Sequence, residues 1–351
     1  MANEEHEHSL SIYGDMLLKG LVRADQSDLL ERLAALNIHD AEQLIELMSV
    51  EGTPAHLAEH LQISVDELNR FVASVAALLP PERRTPQARL TRGPFSLGAL
   101  EPTDQSRRDT GPFPPAAPPI ALPSQVNHIA GMLAIQNQGQ RGTCVAFGGT
   151  ALTEYYWHTH SNSTKLSEEF LYEETKKIDG HSNLCGTWLV YAMHTVSSLG
   201  ICPESVWPYN GNLPCNNNSP EPGNARQSAL PFRVQGHMMN PHDVNSMKVA
   251  LAQNCNVAFC IPVYNSWYQW TSPTARTGAI TMRVGNEPAV GGHCMCMVGY
   301  QDNAASPGGG YFIIRNSWGT TWAYQSPYSA GYGTIPYQYL TNGGWEAATI
   351  P

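Results

Sequence analysis

Charged side chains are scarce in this chain: Asp, Glu, Lys and Arg make up 14% of its 351 residues, against about a quarter in ordinary globular proteins. A surface so thinly charged leans on Asn, Gln, Ser, Thr and Tyr, as a loop-rich enzyme does. Long apolar runs are missing too. No stretch approaches the ~20 residues that cross a bilayer, so no membrane association is expected. Met1-Ala2-Asn3-Glu4-Glu5-His6-Glu7-His8 lacks the basic and apolar regions of a secretory leader, which predicts a cytoplasmic location. Basic charge is absent where nucleic acid would need it. Residues 1–80 hold 14 acidic and four basic side chains, while 81–351 holds 16 of each. The acidic excess therefore lies in the N-terminal segment, where a phosphate backbone would be repelled. Cys294 and Cys296 alternate along an apolar strand and read as packing residues, since a zinc ion needs four convergent ligands. No metal or organic cofactor is expected.

What the chain does have changes along its length. Residues 10–80 read as about four short helices. Asp25 or Ser27 precedes a leucine-periodic segment, Asp40 another, Thr53-Pro54 opens a third, and Ser64 with Glu67 forms a capping-box pattern. Leu36-Asn37-Ile38 and Leu61-Gln62-Ile63 sit at corresponding junctions, as in a duplicated helix-turn-helix unit. This is similar to a helix-hairpin-helix array without its hairpin glycines. Contact with protein, within the chain or in a partner, is the expected use. Residues 81–121 are rich in proline (Pro112, Pro114, Pro115, Pro118, Pro119), with large apolar residues only near Phe95 and Leu100. They predict an extended linker of ~3.1 Å per residue, carrying the exposed basic pairs Arg83-Arg84 and Arg107-Arg108. Beyond it, helical patterns from Cys144, Ser167 and Trp188 precede strand patterns such as 257–261 and 311–315. That order predicts an α+β domain with a cleft between two lobes. The expected organisation is thus a helical module (1–80), a linker (81–121) and an α+β domain (122–351).

Three segments carry chemistry. Cys144 lies in Gln138-Gly139-Gln140-Arg141-Gly142-Thr143-Cys144-Val145-Ala146-Phe147, His293 follows Gly291-Gly292, and Asn316 opens Asn316-Ser317-Trp318-Gly319. A thiol, an imidazole and a side-chain amide so far apart in sequence can meet only in a folded chain, and together they are the parts of a thiol-based acyl-transfer site. A position at a helix start and a nearby imidazolium both favour the thiolate.

These segments, with Leu122-Pro123, Cys202 to Tyr209 and Gly331-Tyr332-Gly333, resemble papain-like cysteine peptidases in their bacterial form, from about residue 122 to the C-terminus. The resemblance implies a two-lobed papain-like domain, a helical lobe plus an antiparallel β lobe, preceded here by a small all-α module. It implies Cys144 as nucleophile, His293 as its proton partner, Asn316 as the group that orients the ring, and Gln138 as an oxyanion donor. It also implies that the Gly186 backbone pairs with an extended peptide, that Trp322 walls the leaving-group side, that Trp318 shields the His293–Asn316 bond, and that Gly292 permits close backbone approach. A peptide or protein substrate follows. Arg141 stands where plant-type relatives carry a disulfide cysteine, Val145 replaces a Trp, and Ala323 replaces a Gly. Cys185, Cys202, Cys215, Cys255 and Cys260 could include a bridge, although the missing leader favours reduced thiols. The expected function is a cysteine endopeptidase that residues 1–121 restrain or target, as in a zymogen. Transfer to an amine instead of water, and a retired peptidase-fold scaffold, are the alternatives; four intact site residues argue against retirement. Asn210 to Arg226 reads as a surface loop and Trp267 to Pro288 as the cleft edge.

Overall fold

The N-terminal helices follow from their caps. In a computed structural model describing residues 10–23, 26–86, 95–117, 121–215 and 219–351, they are α1 (Ser27–Ala35), α2 (Ala41–Leu47), α3 (Thr53–Leu61) and α4 (Val65–Leu78). The expectations for residues 1–8, Asp25, Pro118 and Pro119 lie outside the described residues. Ser64 Oγ accepts from the Glu67 amide while the Glu67 carboxylate accepts from the Ser64 amide, a closed capping box. Pro54 is the second helical residue, not the first, behind Gly52 at φ 78°. The two junctions repeat one turn. Asn37 and Gln62 are both left-handed, at φ 62° and 57°, and the Ile38 and Ile63 amides reach back to Leu33 O and Ala58 O, closing each helix with the same type of loop.

The segment expected to be extended is interrupted by α5 (Asp104–Thr110). Its cause is local: no proline lies between 103 and 110, and Thr103 with Ser106 forms a reciprocal cap. Arg83 is tied down, bonding to Glu42 and to Gly14 O.

The remaining helices are α6 (Cys144–Thr159), α7 (Glu168–Lys176), α8 (Leu189–Ser198), α9 (Ala225–Ala229), α10 (Val244–Ala252), α11 (Asn265–Tyr268), α12 (Pro273–Thr277) and α13 (Tyr337–Gly343). The strands are β1 (Gln125–Asn127), β2 (His237–Met239), β3 (Val257–Tyr264), β4 (Ala289–Asp302), β5 (Gly310–Arg315), β6 (Tyr332–Pro336) and β7 (Glu346–Thr349). They pair antiparallel in the order β2-β7-β3-β4-β5-β6, with β1 also on β4. Side-chain alternation divides two cores. Val257, Phe259, Ile261, Met295 and Met297 face one cluster, shared with Leu33, Leu44, Leu57 and Leu68 of the module. Ala258, Cys260, Cys294, Cys296 and Val298 face the other, shared with α6, α7 and α8. Gly148 lets α6 approach β4, since a Cβ there would lie 2.8 Å from Cys294 Sγ.

The acidic module is therefore not a free bundle. It packs on the β lobe over α12 and the chain after it, part of the stretch expected at the cleft edge. Asn37 Nδ2 donates to Ile280 O and the Met282 amide to Leu36 O. Buried Arg276 of α12 pairs with both Asp15 and Glu46.

Candidate active site

Cys144 is the first residue of α6 and fully buried. The loop before it is anchored by Arg141, whose guanidinium, also buried, bonds both oxygens of Glu169 at 2.7–2.8 Å and Glu173 at 2.6 Å. The Thr143 amide donates to Arg141 O, and Thr143 Oγ1 lies 2.7 Å from Tyr209 Oη. Glu169 and Glu173, one turn apart on α7, thus grip the nucleophile loop through Arg141. A helix start lowers a thiol's pKa, but here burial dominates and pushes Cys144 well up, with the Cys294 thiol adding to it; backbone amides of Cys294, Gly98 and Ala99 at the sulfur oppose the shift.

His293 sits on β4 opposite Ile261 of β3. Its Nε2 lies 2.8 Å from Asn316 Oδ1, which also accepts from the Ser317 amide at 2.7 Å. An oxygen already accepting one N–H identifies the amide orientation, so Nε2 carries the proton and Nδ1 is the bare base. Trp318 stacks on the ring at 4.3 Å. Burial lowers the His293 pKa to about 4, with the Asn316 bond opposing. Nδ1 has no hydrogen-bond partner, so sulfur and ring are not bonded to each other. Both are held neutral. Gln138 is buried as well. Ser317 Oγ donates to its Oε1 at 2.6 Å, leaving Nε2 to donate to Arg141 O at 2.9 Å and Ser96 O at 3.2 Å.

Ser96 belongs to a strap, residues 95–100, that crosses the site. Phe95 stacks on Trp318 at 4.4 Å, and Trp318 Nε1 donates to Ser96 O at 3.1 Å. The Gly98 and Ala99 amides both donate to Gly292 O at 3.1 Å. Further on, Thr187 N donates to Gly98 O, Leu100 N donates to Thr187 O, and Trp188 Nε1 donates to Glu101 O. Ala99 and Thr187 form a parallel bridge. The fit is tight: a Cβ on Gly98 would fall 2.2 Å from Gly142 O, and one on Gly186 (φ 90°) would fall 2.5 Å from Gly98 O.

The strap thus touches Gln138, Gly186, Gly292, Trp318 and the loop before Cys144, and Trp318 in turn stacks on His293, which is bonded to Asn316. Trp322 is different. It is fully buried and meets Trp318 edge-on, so the aromatic surface offered to the strap belongs to Trp318. The missing-leader argument for reduced thiols also needs correction, because Cys185 and Cys215 are bridged. Gly142 N donates to Cys215 Sγ at 3.2 Å, which places the bridge beside the nucleophile loop. The sequence did not point to Ser317, the Arg141 grip or the strap. A usable signal existed for the strap: it holds the large apolar residues of an otherwise polar, proline-rich linker.

Comparison with known proteins agrees with this geometry. Residues 122–335 match the family described as papain family cysteine protease. The chain is 24% identical over 233 residues to an uncharacterized peptidase C1-like protein of Acanthamoeba polyphaga mimivirus, covering 64% of this chain and 68% of that one. It is 28% identical to Peptidase 1 of Dermatophagoides pteronyssinus over 54% of each chain. It therefore spans between about half and two-thirds of these relatives' lengths. Among solved structures, xylellain, a cysteine protease from Xylella fastidiosa, superposes with TM-score 0.60 at 26% identity, covering 75% of this chain and 98% of xylellain. Digestive procathepsin L 3 of Tenebrio molitor shares the fold at TM-score 0.52 and 18% identity, covering 93% of this chain and 99% of that one.

Proposed function

The chain belongs to the papain family of cysteine proteases, and we propose that it is an endopeptidase kept closed by its own residues 95–100 and by the docked N-terminal module. The single observation that carries this reading is the strap's backbone seated on the cleft, with Ser96 O accepting from Gln138 Nε2 and Trp318 Nε1, the Gly98 and Ala99 amides on Gly292 O, and Gly98 against Gly142 of the nucleophile loop.

In the open enzyme, His293 takes the Cys144 proton and the thiolate attacks a peptide carbonyl carbon. The carbonyl becomes an oxyanion received by Gln138 Nε2 and the Cys144 amide, worth about 3 kcal/mol per donor. Collapse expels the amine, which leaves with the proton from His293, and a thioester remains. Water, deprotonated by the same ring, then releases the acid and restores the thiol. Asn316 keeps Nε2 protonated throughout, so that Nδ1 does this work.

The strap evades that chemistry by its direction. It runs from the leaving-group side at Trp318 to the acyl side at Gly186, opposite to a substrate. The Gly98 and Ala99 N–H groups donate to Gly292 O and Gly98 O accepts from the Thr187 amide, so these strap groups are held by the cleft walls. Exclusion of water also keeps thiol and ring uncharged. The likeness to a procathepsin over nearly the whole chain supports the zymogen reading, and the Cys185–Cys215 bridge supports an oxidising compartment over the cytoplasm.

Gly98→Leu tests the proposal. The side chain cannot seat against Gly142 O, so the full-length variant should open, label at Cys144 with an iodoacetamide probe near neutral pH, and hydrolyse peptides. Wild type should need alkaline pH to label, because burial holds its thiol protonated. Loss of all hydrolysis in Gly98→Leu/Cys144→Ala completes the test. An opened chain that labels several cysteines equally and cleaves nothing would defeat the reading.

A further inference from the structure

The geometry points to a substrate class for this cleft: peptides with alanine or glycine at the second residue on the acyl side of the cut bond, larger side chains being excluded by Trp345. This inference rests on the proteolytic reading and deepens it.

The strap shows what the cleft accepts. Gly98 lies against the nucleophile loop, where a Cβ would meet Gly142 O at 2.2 Å. Ala99 is the next residue outward and therefore second from the thiol. It is 4% exposed, its amide bonds Gly292 O, and it belongs to the apolar cluster that includes Cys144, Leu189, Cys260 and Cys294. A substrate residue that pairs with the same Thr187 and Gly292 backbone groups takes the place that Ala99 holds in the strap.

Trp345 crowds Gly292 beside the Ala99 backbone. Its amide is bonded to Cys260 O at 2.9 Å, which pins it at the start of β7 beside β3. Its ring crosses Gly292 so closely that a Cβ there would lie 2.1 Å from Cζ3, and 2.5 Å from Ala99 O. The glycine at 292 is thus what lets ring and strap share the space. The same ring lines a cleft of about 300 Å³ with Pro102, Phe113 and Met238, so room for a larger side chain appears once the indole is removed.

The test uses the full-length chain. Ala99→Leu should fail to seat and raise the rate of Cys144 alkylation by about tenfold or more, the discrimination expected when a pocket meets excess methylenes, while Ala99→Gly stays within about twofold of wild type. Adding Trp345→Ala to Ala99→Leu should return labelling towards wild type, and Trp345→Leu, a milder change, should do so in part. In the Gly98→Leu enzyme, peptides differing only at the second acyl-side residue should give kcat/KM about tenfold or more higher for alanine than for leucine, and Trp345→Ala should erase that gap. Unchanged labelling in Ala99→Leu, no rescue by either Trp345 variant, or equal cleavage of alanine and leucine peptides would overturn the inference. If Gly98→Leu labels at Cys144 yet cleaves nothing, proteolysis fails, and rescue in the labelling series alone decides for or against the pocket.

Discussion

Ser317 determines which way the Gln138 amide faces. Its hydroxyl bonds Oε1, so the NH₂ end is turned towards the strap carbonyl now and towards an oxyanion when the cleft is open. Removing that donor should act on the transition state more than on binding. Gln138→Ala in the Gly98→Leu enzyme is expected to lower kcat by about 10²–10³ with KM little changed, measured on one good peptide; a change in KM alone would mean that the amide merely binds. At this scale the sequence was informative for Cys144, His293, Asn316 and Gln138, because each sits in a local pattern whose chemistry is intrinsic. It was silent on Ser317, Arg141 and Trp345, because their work depends on neighbours 28 to 179 residues away. Nothing in the run Gly-Gly-Trp-Glu says that the indole will lie over Gly292.

Elements were legible where their cause is local. The Ser64–Glu67 box starts α4 as read, and the strand pattern at 257–261 lies within β3. The docking of the module was not legible, because it depends on Arg276, Asp15 and Glu46, three charges far apart in sequence. Arg276 bonds both carboxylates at 2.6–3.0 Å. Arg276→Ala would take the guanidinium away from two buried acids, a loss of about 3–5 kcal/mol, so a lower Tm and faster Cys144 alkylation are expected together. A lower Tm with unchanged alkylation would uncouple the module from the strap. Asp40 at the same interface works in the opposite sense. Its Oδ1 has no partner, and burial, then the Asp15 charge, raise its pKa from 3.8 to about 7. A raised carboxyl pKa costs stability as pH rises from 3.8 to about 7, because the unfolded chain releases that proton first. Asp40→Asn should therefore raise Tm at pH 8, by the equivalent of about 1–4 kcal/mol, and make no difference near pH 3.5. Equal Tm values at pH 8 would remove Asp40 from the account.

For the whole molecule, the question is what makes so short a strap effective. Residues 95–100 contribute one ring stack, worth about 0.5–1.5 kcal/mol, and a handful of backbone bonds of about 1 kcal/mol each, offset by the cost of ordering the backbone. Alone, such a segment binds poorly. Within the chain it is held on both sides, by the module docked on the β lobe and by α5, where Asp109 accepts from Tyr191 Oη at 2.7 Å. Two anchors present the strap at an effective concentration of about millimolar or above. Closure is then a property of the assembled chain, with the cleft contacts supplying direction and the module supplying hold. A synthetic peptide spanning Phe95 to Glu101, added to the Gly98→Leu enzyme, should accordingly inhibit only at about millimolar concentration. In cis, wild-type closure should be independent of protein concentration. Dose–response inhibition measures the first and alkylation rate across a dilution series the second. Micromolar inhibition by the free peptide would locate the restraint in the cleft itself and leave the acidic module without a part in it.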